Sequence, residues 1–168
     1  FEWADIGDQR EILAWTEIAT PADLMAVTAR LRATERQPMD PATALGEAMV
    51  TGALALARQP ECWRRTLDIS GDGQSNAGPR PREAKIDPRL GDVTINALVI
   101  GAGWPGEPMR RPDTDIAALT DYFRIEVIRG PDAFIEAADG FEDFEEAMTR
   151  KLLRELQVLA VTQARPTR

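Results

Sequence analysis

The chain has 168 residues, of which 43% are hydrophobic and 29% charged, and its formal net charge is −8. This length and composition are typical of one globular domain with its own core, and the acidic balance argues against nucleic acid as a partner. The sequence has no histidine and a single cysteine, which excludes Ser-His-Asp and Cys-His catalysis, the usual zinc sites and an internal disulfide. No apolar run approaches the length of a membrane span.

The first third of the chain predicts one strand and two helices. Residues 10–18 place apolar side chains among polar ones, as in a strand. Thr20 followed by Pro21 is a helix start signal, and Asp40 with Pro41 repeats it before a second helix that is predicted to reach about Arg58. Apolar residues fall on one face of the first helix: Leu24, Val27 and Leu31.

The middle of the chain predicts two strands separated by a polar segment. Thr66 to Ser70 forms a short apolar run that ends in a glycine turn, and Val93 to Ile100 is typical of a strand covered on both faces. Between them, residues 79–90 predict a loop with a short helix that Pro88 ends. The glycines and prolines of residues 101–112 predict an exposed loop.

The last third predicts a helix over 115–123, a short strand over 125–128, a turn at Gly130 and Pro131, and a long helix over 141–159. The expected buried stripe of that helix consists of Phe144, Met148, Leu152, Leu156 and Leu159. Because strands and helices alternate, we expect an α/β fold with a mostly parallel sheet and helices on both faces. We expect one domain over residues 1–160 and a C-terminal tail over 161–168.

The turn Ser70-Gly71-Asp72-Gly73 holds a hydroxyl and a carboxylate at the carboxyl end of the first of these middle strands. Ligands gather at that edge of open α/β sheets, and Mg²⁺ prefers oxygen ligands of this kind. Asp and Gly also serve turns for purely conformational reasons. From the residues alone, a metal site and a simple turn are both open.

Seven segments of the chain carry a family resemblance: residues 43–49, 64–73 with Asn76, 94–98, 122–123, 127–131, 133–134 and 141–155. Together they resemble the von Willebrand factor A fold, and more narrowly the bacterial family of domain of unknown function 1194. The resemblance extends over nearly the whole chain, and the combination of segments is far more specific than any one motif.

The resemblance implies a doubly wound, Rossmann-like sheet with a metal-ion-dependent adhesion site at its carboxyl edge. In that site an Asp-x-Ser-x-Ser motif, a Thr and an Asp before a Gly surround Mg²⁺, and a partner protein's acidic side chain fills the open position. Thr43 and Asp72 match the second and third elements. The binding surface around them is then expected to include Ser70, Gly71, Gly73 and Asn76.

The first element of the site is absent from this chain, because no Asp-x-Ser-x-Ser occurs in it. The resemblance aligns Phe1 to Trp3 with the end of strand two, so that the central strand one is expected to come from an upstream segment or from another chain. Cys62 precedes the Thr66 strand, and the resemblance leaves open a disulfide to strand one or a buried thiol. Asp68 is expected to be a structural residue that accepts hydrogen bonds from a neighbouring loop or an arginine, rather than a metal ligand.

Three functions compete on this reading. The first is a non-enzymatic, periplasmic or secreted protein-binding module that uses Mg²⁺. The second is a structural or accessory subunit of a larger complex, membrane-associated or not, without a functional metal. The third is a Mg²⁺-dependent hydrolase in which Asp72 takes part, and it is disfavoured because the chain has no histidine and no recognisable general base.

Overall fold

A computed structural model describes residues 1–35, 37–101 and 116–163, with residues 158–163 described by their backbone only. The strands and helices within these ranges are β1 (Glu2–Trp3), β2 (Gln9–Arg10), α1 (Pro21–Arg32), α2 (Leu45–Ala57), β3 (Thr66–Gly71), α3 (Pro81–Ala84), a 3₁₀ helix (Pro88–Leu90), β4 (Thr94–Ile100), α4 (Ile116–Glu126), β5 (Ile135–Ala138) and α5 (Phe144–Gln163).

The fold is α/β, with a three-stranded parallel sheet in the order β3-β4-β5 that packs against helices and is Rossmann-like in outline. The parallel sheet predicted from the alternation of strands and helices is therefore confirmed. A separate antiparallel ladder joins β1 and β2. Within the described residues, β3 pairs with β4 on one side only, so its other edge is unpaired.

The central strand β4 is buried along its whole length, as its nearly continuous apolar sequence predicted. Its successive side chains face opposite sides of the sheet. Ile95, Ala97 and Val99 join the core cluster that includes residues of α2 and α4. Leu98 and Ile100 belong to a second cluster with residues of α5. Helices therefore cover both faces of the sheet, because both faces of β4 are apolar.

Helix α1 begins where the sequence predicted. Thr20 caps it, and Thr20 and Asp23 form a reciprocal capping box. The helix has no buried residue, and Leu24 and Leu31 on its apolar face are 54% and 50% exposed. The capped first turn therefore stabilises the helix itself, while packing against the other described residues buries none of its side chains.

The sequence predicted that α2 begins directly after Pro41, but the helix begins at Leu45. The residues before it are bound to the loop that follows β3. The carbonyl oxygen of Thr43 accepts hydrogen bonds from the backbone N–H groups of Asn76 and Ala77, at 3.0 and 3.4 Å. A Cβ atom on Gly46 would lie 2.2 Å from the carbonyl oxygen of Pro79, so glycine alone permits this close approach.

Two predicted strands are wrong. Residues 11–18 form no strand, because the antiparallel register pairs Glu2 with Arg10 and leaves the following residues without a partner among the described strands. Residues 125–128 continue the turn of α4, since the N–H groups of Val127 and Ile128 both donate to the carbonyl oxygen of Phe123. The third strand of the sheet is β5, which the prediction missed.

The buried stripe predicted for the last helix is partly wrong. Leu152 and Leu156 are 47% and 61% exposed, whereas Ala147 and Lys151 are the buried residues. Phe144 and Met148 pack against the second core cluster as expected. The side chain of Leu159, most of the loop predicted over 101–112 and the end of the predicted tail lie outside the described residues.

Candidate functional site

A groove of about 750 Å³ runs between the β1–β2 ladder and β3. Both β1 and β3 contribute to its lining, and so does the segment before α2. Four of the residues predicted for the site line it together: Thr43, Ser70, Gly71 and Asp72. The carboxyl end of β3 and the residues before α2 thus meet in one place, although they are distant in sequence.

Thr43 is held in place by the loop that follows β3. Its N–H group donates to Oδ1 of Asn76 at 2.8 Å, and its carbonyl oxygen accepts from the Oγ hydroxyl of Ser75 at 3.0 Å. The side chain of Asn76 is therefore engaged with the backbone of Thr43. Neither Asn76 nor Gly73 belongs to the described lining of the groove, in contrast to the surface expected from the sequence.

The side chains of Thr43, Ser70 and Asp72 have no hydrogen-bond or ion-pair partner among the described residues. A hydroxyl and a carboxylate with free oxygen atoms suit a hard cation such as Mg²⁺, which keeps several waters and uses one or two protein carboxylates. Within residues 1–35, 37–101 and 116–163, no group of three or more His, Cys, Asp or Glu residues could hold a metal ion. The donor set fits an open, largely hydrated Mg²⁺ site and not a closed cage.

Asp68 lines the same groove but is engaged elsewhere. Its carboxylate forms an ion pair with Nζ of Lys151, which also lies 2.7 Å from Oε1 of Glu155. Glu155 accepts a further hydrogen bond from Nδ2 of Asn96 at 2.9 Å. Desolvation, reinforced by the neighbouring Glu155, raises the pKa of Asp68 to about 6. The partner of Asp68 is therefore a helical lysine, and not the neighbouring loop or arginine that the sequence predicted.

Sequence patterns did not single out Lys151 and Glu155. The signal was present, because the two residues stand four apart on α5, as salt-bridged helical pairs do. It was obscured because Lys151 lies among leucines that predicted a different buried stripe. Cys62 is exposed and unpaired, and so it is not the buried thiol that the sequence left open as one alternative.

Within the described part of the chain, no helix is both long and apolar enough to cross a membrane. Neither a curated protein nor a solved structure matches the chain. The model of one protein family, described as protein of unknown function (DUF1194), matches residues 1–160. Since this match extends over most of the 168 residues, the chain belongs to the DUF1194 family.

Proposed function

We propose that this chain is a non-enzymatic protein-binding module of von Willebrand factor A type, which binds an acidic side chain of a partner protein through Mg²⁺. The observation that carries the proposal is the meeting of Thr43 and Asp72 in one groove with their side-chain oxygens free of partners among the described residues. A bound Mg²⁺ would supply a positive charge with an open position for a carboxylate.

The chain's own residues would prepare this site in advance. The hydrogen bonds with Asn76 and Ser75 fix the backbone of Thr43, which lines the same groove as the end of β3. Thr43 also lies just before α2, where the positive end of the helix dipole favours oxygen-rich ligands. Asp72 follows β3 on a turn between two glycines and is exposed to the groove.

The same proposal includes a further parallel strand between β1 and β3, as in a doubly wound sheet of von Willebrand factor A type. Two observations support it. The edges of β1 and β3 face the groove, and each of these strands has a single partner among the described residues. Such edges leave backbone N–H and C=O groups unpaired, which a strand of this protein or of another chain would satisfy.

The partner is proposed to be a protein in the periplasm or outside the cell. A carboxylate of that partner would complete the shell of the metal, because Thr43, Ser70 and Asp72 together supply one carboxylate and two hydroxyls, too few ligands to fill it. Nucleic acid is a poor candidate, since a chain of net charge −8 repels a phosphate backbone.

Mg²⁺ titration followed by NMR tests the metal site. We expect saturable shifts at Thr43 and Asp72 in the wild type, about tenfold weaker binding in Thr43→Ala, and none in Asp72→Ala. Asp132→Ala removes an exposed aspartate outside the groove and is the matched control, for which the titration is unchanged. Equal Mg²⁺ affinity in Asp72→Ala and the wild type would contradict the metal site.

A structural or accessory subunit without a functional metal is the second candidate. It is favoured by the open sheet edges beside the groove and by the single carboxylate, that of Asp72, among the proposed metal ligands. Partner capture distinguishes the two candidates. If EDTA and Asp72→Ala both abolish capture, the result supports the metal-dependent module. If neither has an effect, the result supports the structural subunit.

A further inference from the structure

A second cleft, of about 380 Å³, lies between the loop over residues 75–78, the start of α3 and the face of α4. Arg80 and Arg82 line it, together with Tyr122 and Glu126. It is therefore a basic and hydroxyl-bearing cleft on a chain whose net charge is −8. Ser75 and Asn76 of its lining also hold the backbone of Thr43, whereas Arg80 and Tyr122 have no part in the Mg²⁺ chemistry proposed above.

Arg82 and Glu126 neutralise each other inside this cleft. The guanidinium donates two hydrogen bonds to the carboxylate, one from Nε to Oε2 at 2.8 Å and one from a terminal nitrogen to Oε1. These hydrogen bonds hold the pKa of Glu126 below its usual range, so the carboxylate is ionised and compensated at neutral pH. The pair leaves the second arginine as the uncompensated charge of the cleft.

Arg80 carries that uncompensated charge. Among the described residues its guanidinium has no hydrogen bond and no ion pair. Its backbone is anchored, because the N–H group of Arg80 donates to Oε2 of Glu83 at 3.2 Å. Because Arg80 lines the cleft, its positive charge is available there to an anion.

Tyr122 provides a neutral donor beside Arg80. Its hydroxyl oxygen accepts a hydrogen bond from the backbone N–H of Ser75 at 3.2 Å, and the hydroxyl proton has no acceptor among the described residues. Burial raises the pKa of Tyr122, so the group keeps its proton at neutral pH. The cleft therefore contains one free guanidinium and one free O–H donor.

We propose that this cleft binds a carboxylate, which accepts hydrogen bonds from the guanidinium of Arg80 and from the hydroxyl of Tyr122. A planar guanidinium matches the two oxygens of a carboxylate, and such charge-assisted bonds are stronger than neutral ones. One free cation balances a single negative charge. Inorganic phosphate carries two negative charges on one group and would need further free cations, which the described lining does not offer. A diacid such as succinate places one carboxylate on Arg80 and leaves the other in solvent.

The carboxylate has two sources, a small organic acid and an aspartate or glutamate of a polypeptide. Two probes separate them: succinate, and a short peptide rich in glutamate with blocked ends. Binding is followed by the NMR signals of the Arg80 guanidinium and the Ser75 amide in the whole chain, with EDTA present throughout. Tighter binding of succinate assigns a small acid, and tighter binding of the peptide assigns a protein segment; both support the site.

Three variants test the contacts. Arg80→Gln is expected to weaken binding by about tenfold, since it removes a charge-assisted pair. Arg80→Lys keeps the charge but loses the planar fork, so it is expected to fall between the wild type and Arg80→Gln. Tyr122→Phe removes only the hydroxyl and is expected to weaken binding roughly threefold to tenfold. The matched control is Arg30→Gln, which removes an exposed arginine on α1, outside the cleft.

Equal binding by the wild type, Arg80→Gln and Arg30→Gln would overturn the site, and so would the absence of saturation with both probes. Inorganic phosphate that binds more tightly than succinate would overturn the assignment to carboxylates. The result is independent of the metal-dependent function: EDTA removes Mg²⁺, and Asp72→Ala is expected to bind both probes as the wild type does. Loss of metal binding and loss of carboxylate binding are therefore separate outcomes.

Discussion

Lys151 on α5 is 1% exposed and forms an ion pair with Asp68 on β3, across the face of the sheet that α5 covers. Glu155 lies 2.7 Å from the same ammonium group and accepts a hydrogen bond from Asn96 of β4. A buried lysine between two carboxylates therefore connects α5 to two strands. This polar cluster specifies where the helix lies, since a displaced helix would leave the ammonium group buried without a partner.

Lys151→Ala is expected to reduce the free energy of unfolding by about 3 kcal/mol, because it leaves Asp68 and Glu155 without their shared cation and opens a cavity. Urea denaturation measures the change. Arg124→Ala breaks the exposed pair with Asp121 and is the control, with an expected change below about 1 kcal/mol. A change in Lys151→Ala as small as in the control would show that the cluster does not hold α5.

The pKa of Asp68 is predicted to make stability depend on pH. That pKa is raised from 3.8 to about 6 in the folded protein, chiefly by desolvation. Between these two pH values, Asp68 is therefore protonated in the folded state and ionised in the unfolded state. The resulting stability is fully present below pH 3.8 and is lost as pH rises through about 6. Urea denaturation across this window is expected to show the loss in the wild type and not in Asp68→Asn.

The same titration has an internal check in Glu155, whose negative charge contributes to raising the pKa of Asp68. Glu155→Gln is therefore expected to lower the pKa of the Asp68 carboxyl, as measured by its ¹³C chemical shift against pH. An unchanged or higher pKa of Asp68 in this variant would contradict the prediction that Glu155 raises it.

Asn76 is predicted to stabilise the backbone of Thr43 rather than to bind a ligand. Asn76→Ala removes the Oδ1 acceptor that lies 2.8 Å from the Thr43 nitrogen, which is expected to cost about 1 kcal/mol. Hydrogen exchange of the Thr43 amide should become roughly fivefold faster. Asn76→Asp keeps an oxygen acceptor at this position and should retain the slow exchange. Fast exchange in both variants would assign the protection to some other contact.

Several elements could be predicted because their signals are local. The capping of α1 by Thr20 and Asp23 depends on residues three positions apart. The strand β4 is apolar apart from Thr94 and Asn96 and is buried on both sides, as a nearly continuous apolar sequence requires. The meeting of Thr43 and Asp72 followed from the resemblance to a family, since no local pattern joins residues so far apart.

Other elements could not be predicted, because their structure depends on neighbours. Residues 125–128 have the β-branched composition of a strand, but they follow a helix whose last turn binds Val127 and Ile128. The sequence of β5 has no clear strand pattern. The segment is a strand because its backbone forms parallel hydrogen bonds with the edge of β4. On α5, Lys151 is buried and Leu152 is exposed, because Lys151 forms an ion pair with the carboxylate of Asp68 on β3.

The amino-acid sequence by itself determined the class of the fold, the start of α1, the strands β3 and β4, and the candidate residues Thr43 and Asp72. Periodicity and capping act within a few residues and therefore remain visible in the chain. Only the tertiary structure decided the pairing of Asp68 with Lys151 and the hydrogen bond from the Thr43 backbone to Asn76. It alone also revealed the cleft that contains Arg80 and Tyr122. These depend on contacts between distant segments, which form when burial of the core brings the segments together.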